Sequence, residues 1–101
     1  TDSVFDGLTK KKYSEEDLTN PLNVYSKTKL LGESSVLSME KGVVLRTNII
    51  GWSMKDNISF AEWVLINLVK KNSLKLFNDV FISPLHVSEL FEIIIQLIKR
   101  F

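Results

Sequence analysis

An α/β fold is what the sequence predicts, and three observations predict it. A helix-compatible stretch opening at Asn20 and closing at Gly42 leads straight into Val43-Val44-Leu45-Arg46-Thr47, a β-branched run of the kind buried in parallel sheets. A helix feeding such a strand is half of a βαβ unit. Two further helices are announced downstream, one by the capping pattern Ser59-Phe60-Ala61-Glu62 and one by a broad apolar face after Pro84.

Taken in order, Thr1 to Phe5 reads as the end of a strand and Asp6-Gly7 as a turn. Residues 8–20 are polar and turn-rich, a surface loop in which Lys10-Lys11-Lys12 faces Glu15, Glu16 and Asp17 as solvated charge. Asn20 is the expected N-cap and Pro21 the first helical residue, with the helix running to about Glu40. Leu22, Tyr25, Lys29, Gly32 and Val36 share one stripe of it. Gly32 leaves room there for a neighbouring backbone or a ligand, at a cost of up to about 1 kcal/mol in helix propensity. Leu30 and Leu37 form a second seam.

The loop Asn48 to Asn57 follows the carboxyl end of the 43–47 strand, where open α/β sheets bind ligands. That makes Trp52 and Met54 candidates for a substrate wall, with ordinary loop packing the competing reading. The Ser59-capped helix extends to about Lys71 and is apolar on several sides: Ala61, Val64, Leu65, Leu68 and Val69 on one, Phe60, Trp63 and Ile66 on others. Leu74-Lys75-Leu76-Phe77 and Val80-Phe81-Ile82 alternate as two strands about Asn78-Asp79. The last helix spans about Val87 to Arg100 and is assigned to the core through Val87, Leu90, Phe91, Ile94, Ile95, Leu97, Ile98 and Phe101. Glu89 at its start and Lys99 and Arg100 at its end suit the helix dipole. His86 is read as a cap in preference to a ligand contact.

Composition narrows the function. One hundred and one residues, 45% hydrophobic and 25% charged, allow one globular domain at most. A net charge of +1 gives no electrostatic case for nucleic acid or an anionic membrane. Without cysteine there is no disulfide, thiolate nucleophile or sulfur-bound zinc, and one histidine makes no multi-histidine metal centre. No apolar stretch nears the roughly 18 residues of a membrane span, no signal peptide opens the chain, and a cytoplasmic setting is expected. The four glycines, Gly7, Gly32, Gly42 and Gly51, are too scattered for a G-x-G-x-x-G dinucleotide loop. The chain is therefore expected to be the carboxyl-terminal part of a longer parent.

The chemistry-bearing stretch is Asn20-Pro21-Leu22-Asn23-Val24-Tyr25-Ser26-Lys27-Thr28-Lys29-Leu30-Leu31-Gly32-Glu33. On a helix, Tyr25 and Lys29 lie one turn apart on the same face. An ammonium beside a phenol favours the phenolate and brings a tyrosine towards proton transfer near neutral pH. An isolated Tyr/Lys pair at this spacing is more often a surface contact, so the context decides.

That context is Thr1-Asp2-Ser3-Val4-Phe5-Asp6-Gly7 upstream, Leu45-Arg46-Thr47-Asn48-Ile49-Ile50-Gly51-Trp52 downstream, and Ser83-Pro84-Leu85-His86-Val87 beyond. In this order and spacing the chain resembles the extended short-chain dehydrogenase/reductases, in particular the dTDP-4-dehydrorhamnose reductase group of sugar-nucleotide reductases. The likeness covers nearly the whole chain and lacks the family's amino-terminal half. It implies part of a Rossmann-like doubly wound parallel sheet, residues 1–58, joined to a substrate-side portion, residues 59–101.

The resemblance also implies roles. Tyr25 donates the proton; Lys29 assists it and holds the nicotinamide ribose; Thr1 binds the substrate carbonyl. Asn48 and Ile49 line the cofactor NADP or NAD, a loose match, and Asp2, Ser3, Trp52 and Trp63 lie on the substrate side. The substrate implied is a nucleotide-linked keto sugar. A homodimer of the parent is compatible with this reading, and neither nucleic acid nor membrane enters it. The 101-residue piece alone is expected to be inactive. The alternatives are a reductase-like regulatory subunit, as in methionine adenosyltransferase, and a sugar-nucleotide epimerase or dehydratase using the same Tyr and Lys.

Overall fold

The computed structural model describes residues 1–9, 11–54 and 57–101. Lys10 of the basic run and Lys55 and Asp56 of the loop lie outside the described residues. The chain divides into two compact units, Thr1–Thr47 and Asn48–Phe101.

Among the described residues of the first unit there is one helix, α1, Val24–Leu37. Its N-cap is Asn23 rather than Asn20: the Asn23 carboxamide oxygen accepts from the Ser26 N–H at 2.8 Å. Asn20 is already committed elsewhere, its N–H to the Val4 carbonyl at 2.9 Å and its Nδ2 to Asp6 at 3.0 Å. The next asparagine therefore starts the helix. The helix also ends earlier than expected, and successive turns carry the chain through Ser38 and Met39 to Gly42. A Cβ at Gly42 would run into the Val36 carbonyl, so this exit from α1 requires glycine. Around Gly32, by contrast, the space is open.

Thr1 to Phe5 is a turn and not a strand end. The Thr1 hydroxyl accepts from the Ser3 N–H at 3.2 Å, and the Phe5 N–H donates to the Asp2 carbonyl at 3.0 Å. A hydroxyl next to the backbone competed successfully with ladder pairing. Val4 is fully buried, the one buried hydrophobic among the described residues.

The second unit is a β-α-β-α arrangement: β1 Asn48–Ile50, α2 Phe60–Val69, β2 Pro84–His86 and α3 Val87–Arg100. β1 and β2 pair in parallel with Asn48 opposite Pro84, Ile49 opposite Leu85 and Ile50 opposite His86. The strand expected at Val43–Thr47 thus sits at Asn48–Ile50, on residues assigned to a loop. Pro84, which has no N–H to give a ladder, takes the first strand position, where proline is tolerated. Leu74–Phe77 and Val80–Ile82 form no strand. Their alternation meets no partner, and Phe77 and Phe81 are exposed.

α2 and α3 have their expected starts. The Ser59 hydroxyl accepts from the Glu62 N–H, and the Glu62 carboxylate accepts from the Ser59 N–H at 2.6 Å. His86 caps α3 by accepting from the Ser88 N–H, while Glu89 accepts from the His86 N–H at 3.1 Å. α3 packs on β1 and β2, with Val87 against Gly51. Its outer apolar face is a correction to the expected core: Val87, Phe91, Ile98 and Phe101 are all more than half exposed.

Candidate functional site

In the first unit, α1 brings Tyr25 and Lys29 together. Lys29 Nζ lies 5.4 Å from the centroid of the Tyr25 ring, within cation–π range. Tyr25 is 57% exposed, so the pair stands on an open helix face from which a phenol can exchange a proton with a bound molecule.

Thr1 and Ser3, the two hydroxyls of the opening motif, are joined to each other: the Thr1 hydroxyl donates to Ser3 Oγ at 3.0 Å. The Asp2 carbonyl closes the same turn. All three are half-buried.

Sequence reasoning missed the contacts that hold this unit together. Asp6 accepts three hydrogen bonds, from the Tyr13 hydroxyl at 2.6 Å, the Leu8 N–H at 3.0 Å and Asn20 Nδ2 at 3.0 Å. These donors, the Tyr13 hydroxyl foremost, hold the Asp6 carboxyl down at about 2. Tyr13 stacks on Phe5 with ring centroids 4.4 Å apart, and the Arg46 guanidinium lies 5.1 Å from the Phe5 centroid. Arg46 in turn grips buried Glu33 of α1, with Nε at 3.2 and 3.1 Å from the two carboxylate oxygens and Nη2 at 2.7 Å from one. The hydrogen bonds to Glu33 raise the guanidinium pKa, against some desolvation. The only signal for Asp6 in the sequence was its turn-forming Asp-Gly pair.

In the second unit, Asn48 and Ile49 lie in β1, Ile49 exposed. Trp52 borders a hollow of about 420 Å³ shared with Glu62, Leu65, Ile66 and Val69 of α2 and with Lys70, its C-cap. Met54 is almost fully exposed. Trp63 is not part of that lining and stacks instead on Phe60, with ring centroids 6.1 Å apart. The Glu62 carboxylate, which also accepts from the Ser53 N–H at 3.0 Å, is held below the usual carboxylate range by the Ser59 backbone and hydroxyl and by Ser53.

Among the described residues, no group of three His, Cys, Asp or Glu is arranged to hold a metal ion. No helix there is long and apolar enough to cross a membrane.

Comparison with known proteins places these residues in context. A family model described as "RmlD substrate binding domain" matches residues 1–101. The chain is 30% identical over 102 residues to the dTDP-4-dehydrorhamnose reductase of Aggregatibacter actinomycetemcomitans, covering 99% of this chain and 34% of that protein. It is 32% identical over 101 residues to the spore coat polysaccharide biosynthesis protein SpsK of Bacillus subtilis, covering 99% of this chain and 35% of that protein. With methionine adenosyltransferase 2 subunit beta of Xenopus laevis it shares 34% identity over 103 residues, 99% of this chain and 30% of that protein. The chain thus spans about a third of the length of these relatives. No solved structure matches it at comparable significance.

Proposed function

Because the chain belongs to the RmlD substrate binding domain family, we propose that it is the substrate-side, acid-bearing portion of an NAD(P)-dependent reductase of keto sugar nucleotides. On this reading residues 1–58 complete a doubly wound, Rossmann-like sheet of the short-chain dehydrogenase/reductase type, and residues 59–101 form the substrate side. The observation that carries the proposal is the Tyr25–Lys29 pair, an ammonium 5.4 Å from the phenol ring on an exposed helix face. The names of relatives such as the dTDP-4-dehydrorhamnose reductase support a dTDP-linked 4-keto sugar as substrate.

The residues present fit one end of the cofactor. The exposed Lys29 ammonium, beside the phenol, is placed to donate to ribose hydroxyls, whereas a glycine-rich cradle for the pyrophosphate is absent from the sequence. NAD(P)H supplies the hydride when bound. Tyr25 gives its Oη proton to the carbonyl oxygen of the sugar as the carbon is reduced, and the Lys29 charge stabilises the phenolate left behind. Thr1 or Ser3, at the half-buried turn, orients that carbonyl by a hydrogen bond. The family likeness assigns Asn48 and Ile49 to the cofactor and Asp2, Trp52 and Trp63 to the substrate.

The test is NADPH oxidation with dTDP-4-dehydrorhamnose by a protein joining this chain to a dinucleotide-binding half. Tyr25→Phe should lower kcat by at least about a hundredfold, the usual scale of a lost general acid, with cofactor affinity nearly intact. An unchanged rate would remove Tyr25 from the mechanism. The similarity to the methionine adenosyltransferase subunit favours a second reading, a non-catalytic binding subunit. Co-purification with a partner enzyme, together with no NADPH oxidation on any keto sugar nucleotide, would select it. A net epimerase or dehydratase would be recognised from its product.

A further inference from the structure

The contacts of the first unit close into a ring that begins and ends on the segment bearing Tyr25. Asn20, three residues before the Asn23 cap, donates to Asp6; Asp6 accepts from Tyr13; Tyr13 stacks on Phe5; Arg46 lies over Phe5 and grips Glu33, two turns along α1 from Tyr25. The two anchor points, Asn20 and Glu33, bracket the turn that carries Tyr25 and Lys29. Three of its links are of a strong or directional kind: a 2.6 Å hydroxyl-to-carboxylate bond, near-parallel rings 4.4 Å apart, and a guanidinium held by both carboxylate oxygens. Helix propensity does not explain this expenditure of polar contacts, because α1 already has its Asn23 cap.

We propose that Asp6 and Arg46 are positioning residues, the two closures of a clamp that fixes the bearing of the Tyr25–Lys29 turn. The clamp acts on Tyr25 through the backbone of α1, from its approach at Asn20 and from Glu33 beyond it. Its catalytic use rests on the reductase reading, but its existence is readable on α1 itself, so failure of one leaves the other testable. A closed ring also makes a specific demand: opening it at either point releases the same restraint, and opening it at both adds little.

The experiment is amide hydrogen exchange on the 101-residue chain followed by NMR, comparing residues 28–33 of α1 with α2 and α3. Asp6→Ala and Arg46→Met should each speed exchange at residues 28–33 by about tenfold or more, leave α2 and α3 unchanged, and show no added effect in the double variant. Asp17→Asn, which removes the charge from the acceptor of Ser14 outside the ring, should leave α1 as it is. Unchanged α1 exchange in Asp6→Ala, equal acceleration in all three helices, additive effects, or the same response to Asp17→Asn would each overturn the clamp. Should Asp6→Ala not fold, Tyr13→Phe carries the test, since it removes the hydroxyl that donates to Asp6 and accepts from the Thr9 N–H, and keeps the ring stack.

Discussion

At the level of single residues, Asp6 shows how a carboxylate gathers a loop. Its three donors stabilise the ionised form, so its pKa falls from the ordinary 3.8 to about 2 in the folded chain. The unfolded chain therefore takes up this proton more readily than the folded one. The stability that Asp6 contributes is fully present above about pH 4 and is lost as the pH falls through about 2. Acid unfolding followed by circular dichroism should accordingly be flatter between pH 4 and 2 in Asp6→Asn than in the native chain; identical slopes would sink the assignment. Glu33 should matter at neutral pH: Glu33→Ala strips Arg46 of its bidentate partner and should lower stability by about 2 kcal/mol, read from urea midpoints. Of these groups only Tyr25 and Lys29 were legible in advance, because a helix makes residues four apart neighbours. Asp6 meets partners 2, 7 and 14 positions away, and Arg46 meets Glu33 across 13. No period links such spacings, so the sequence pattern is silent about them.

Among the elements, local chemistry was readable and pairing was not. The starts of α2 and α3 follow from side chains that cap a backbone two or three residues away, and both were anticipated. Ser59→Ala should cost about 1 kcal/mol, seen as a lower thermal midpoint together with less helix by circular dichroism. Strands depend on partners far along the chain. The β-branched run at 43–47 carried the right propensity, yet the ladder forms at Asn48–Ile50, where Pro84–His86 comes alongside. Gly42 illustrates the same limit. Its place after a helix was visible, but the reason for it, a backbone passing too close to Val36 for a Cβ, belongs to the folded chain. Gly42→Ala should therefore destabilise by about 1 to 3 kcal/mol, the range for forced overpacking, whereas a cost near zero would show that the turn simply shifts aside.

For the molecule as a whole, family membership was legible because several short motifs recur in one order across all 101 residues, while the expected core of α3 was not realised. α2 and α3 contain no buried residue, and Phe60, Phe91, Ile98 and Phe101 face outward. The chain is equally ill-supplied for the dinucleotide. A pyrophosphate is ordinarily held by backbone N–H groups at a helix start approached through closely spaced glycines. Here the four glycines are dispersed, and among the described residues two of the three helix starts are taken by carboxylates: Glu62 accepts from the Ser59 N–H and Glu89 from the His86 N–H. A phosphate arriving there would meet like charge and occupied donors. Among the described residues, the Tyr25–Lys29 face offers contacts to a ribose but no cradle for the phosphates. Isothermal titration of the 101-residue chain with NADPH should therefore give only heats of dilution. A dissociation constant of about 1 μM would require about 8 kcal/mol of binding energy, more than one exposed ammonium supplies, and its observation would mean that these residues hold a phosphate site of another kind.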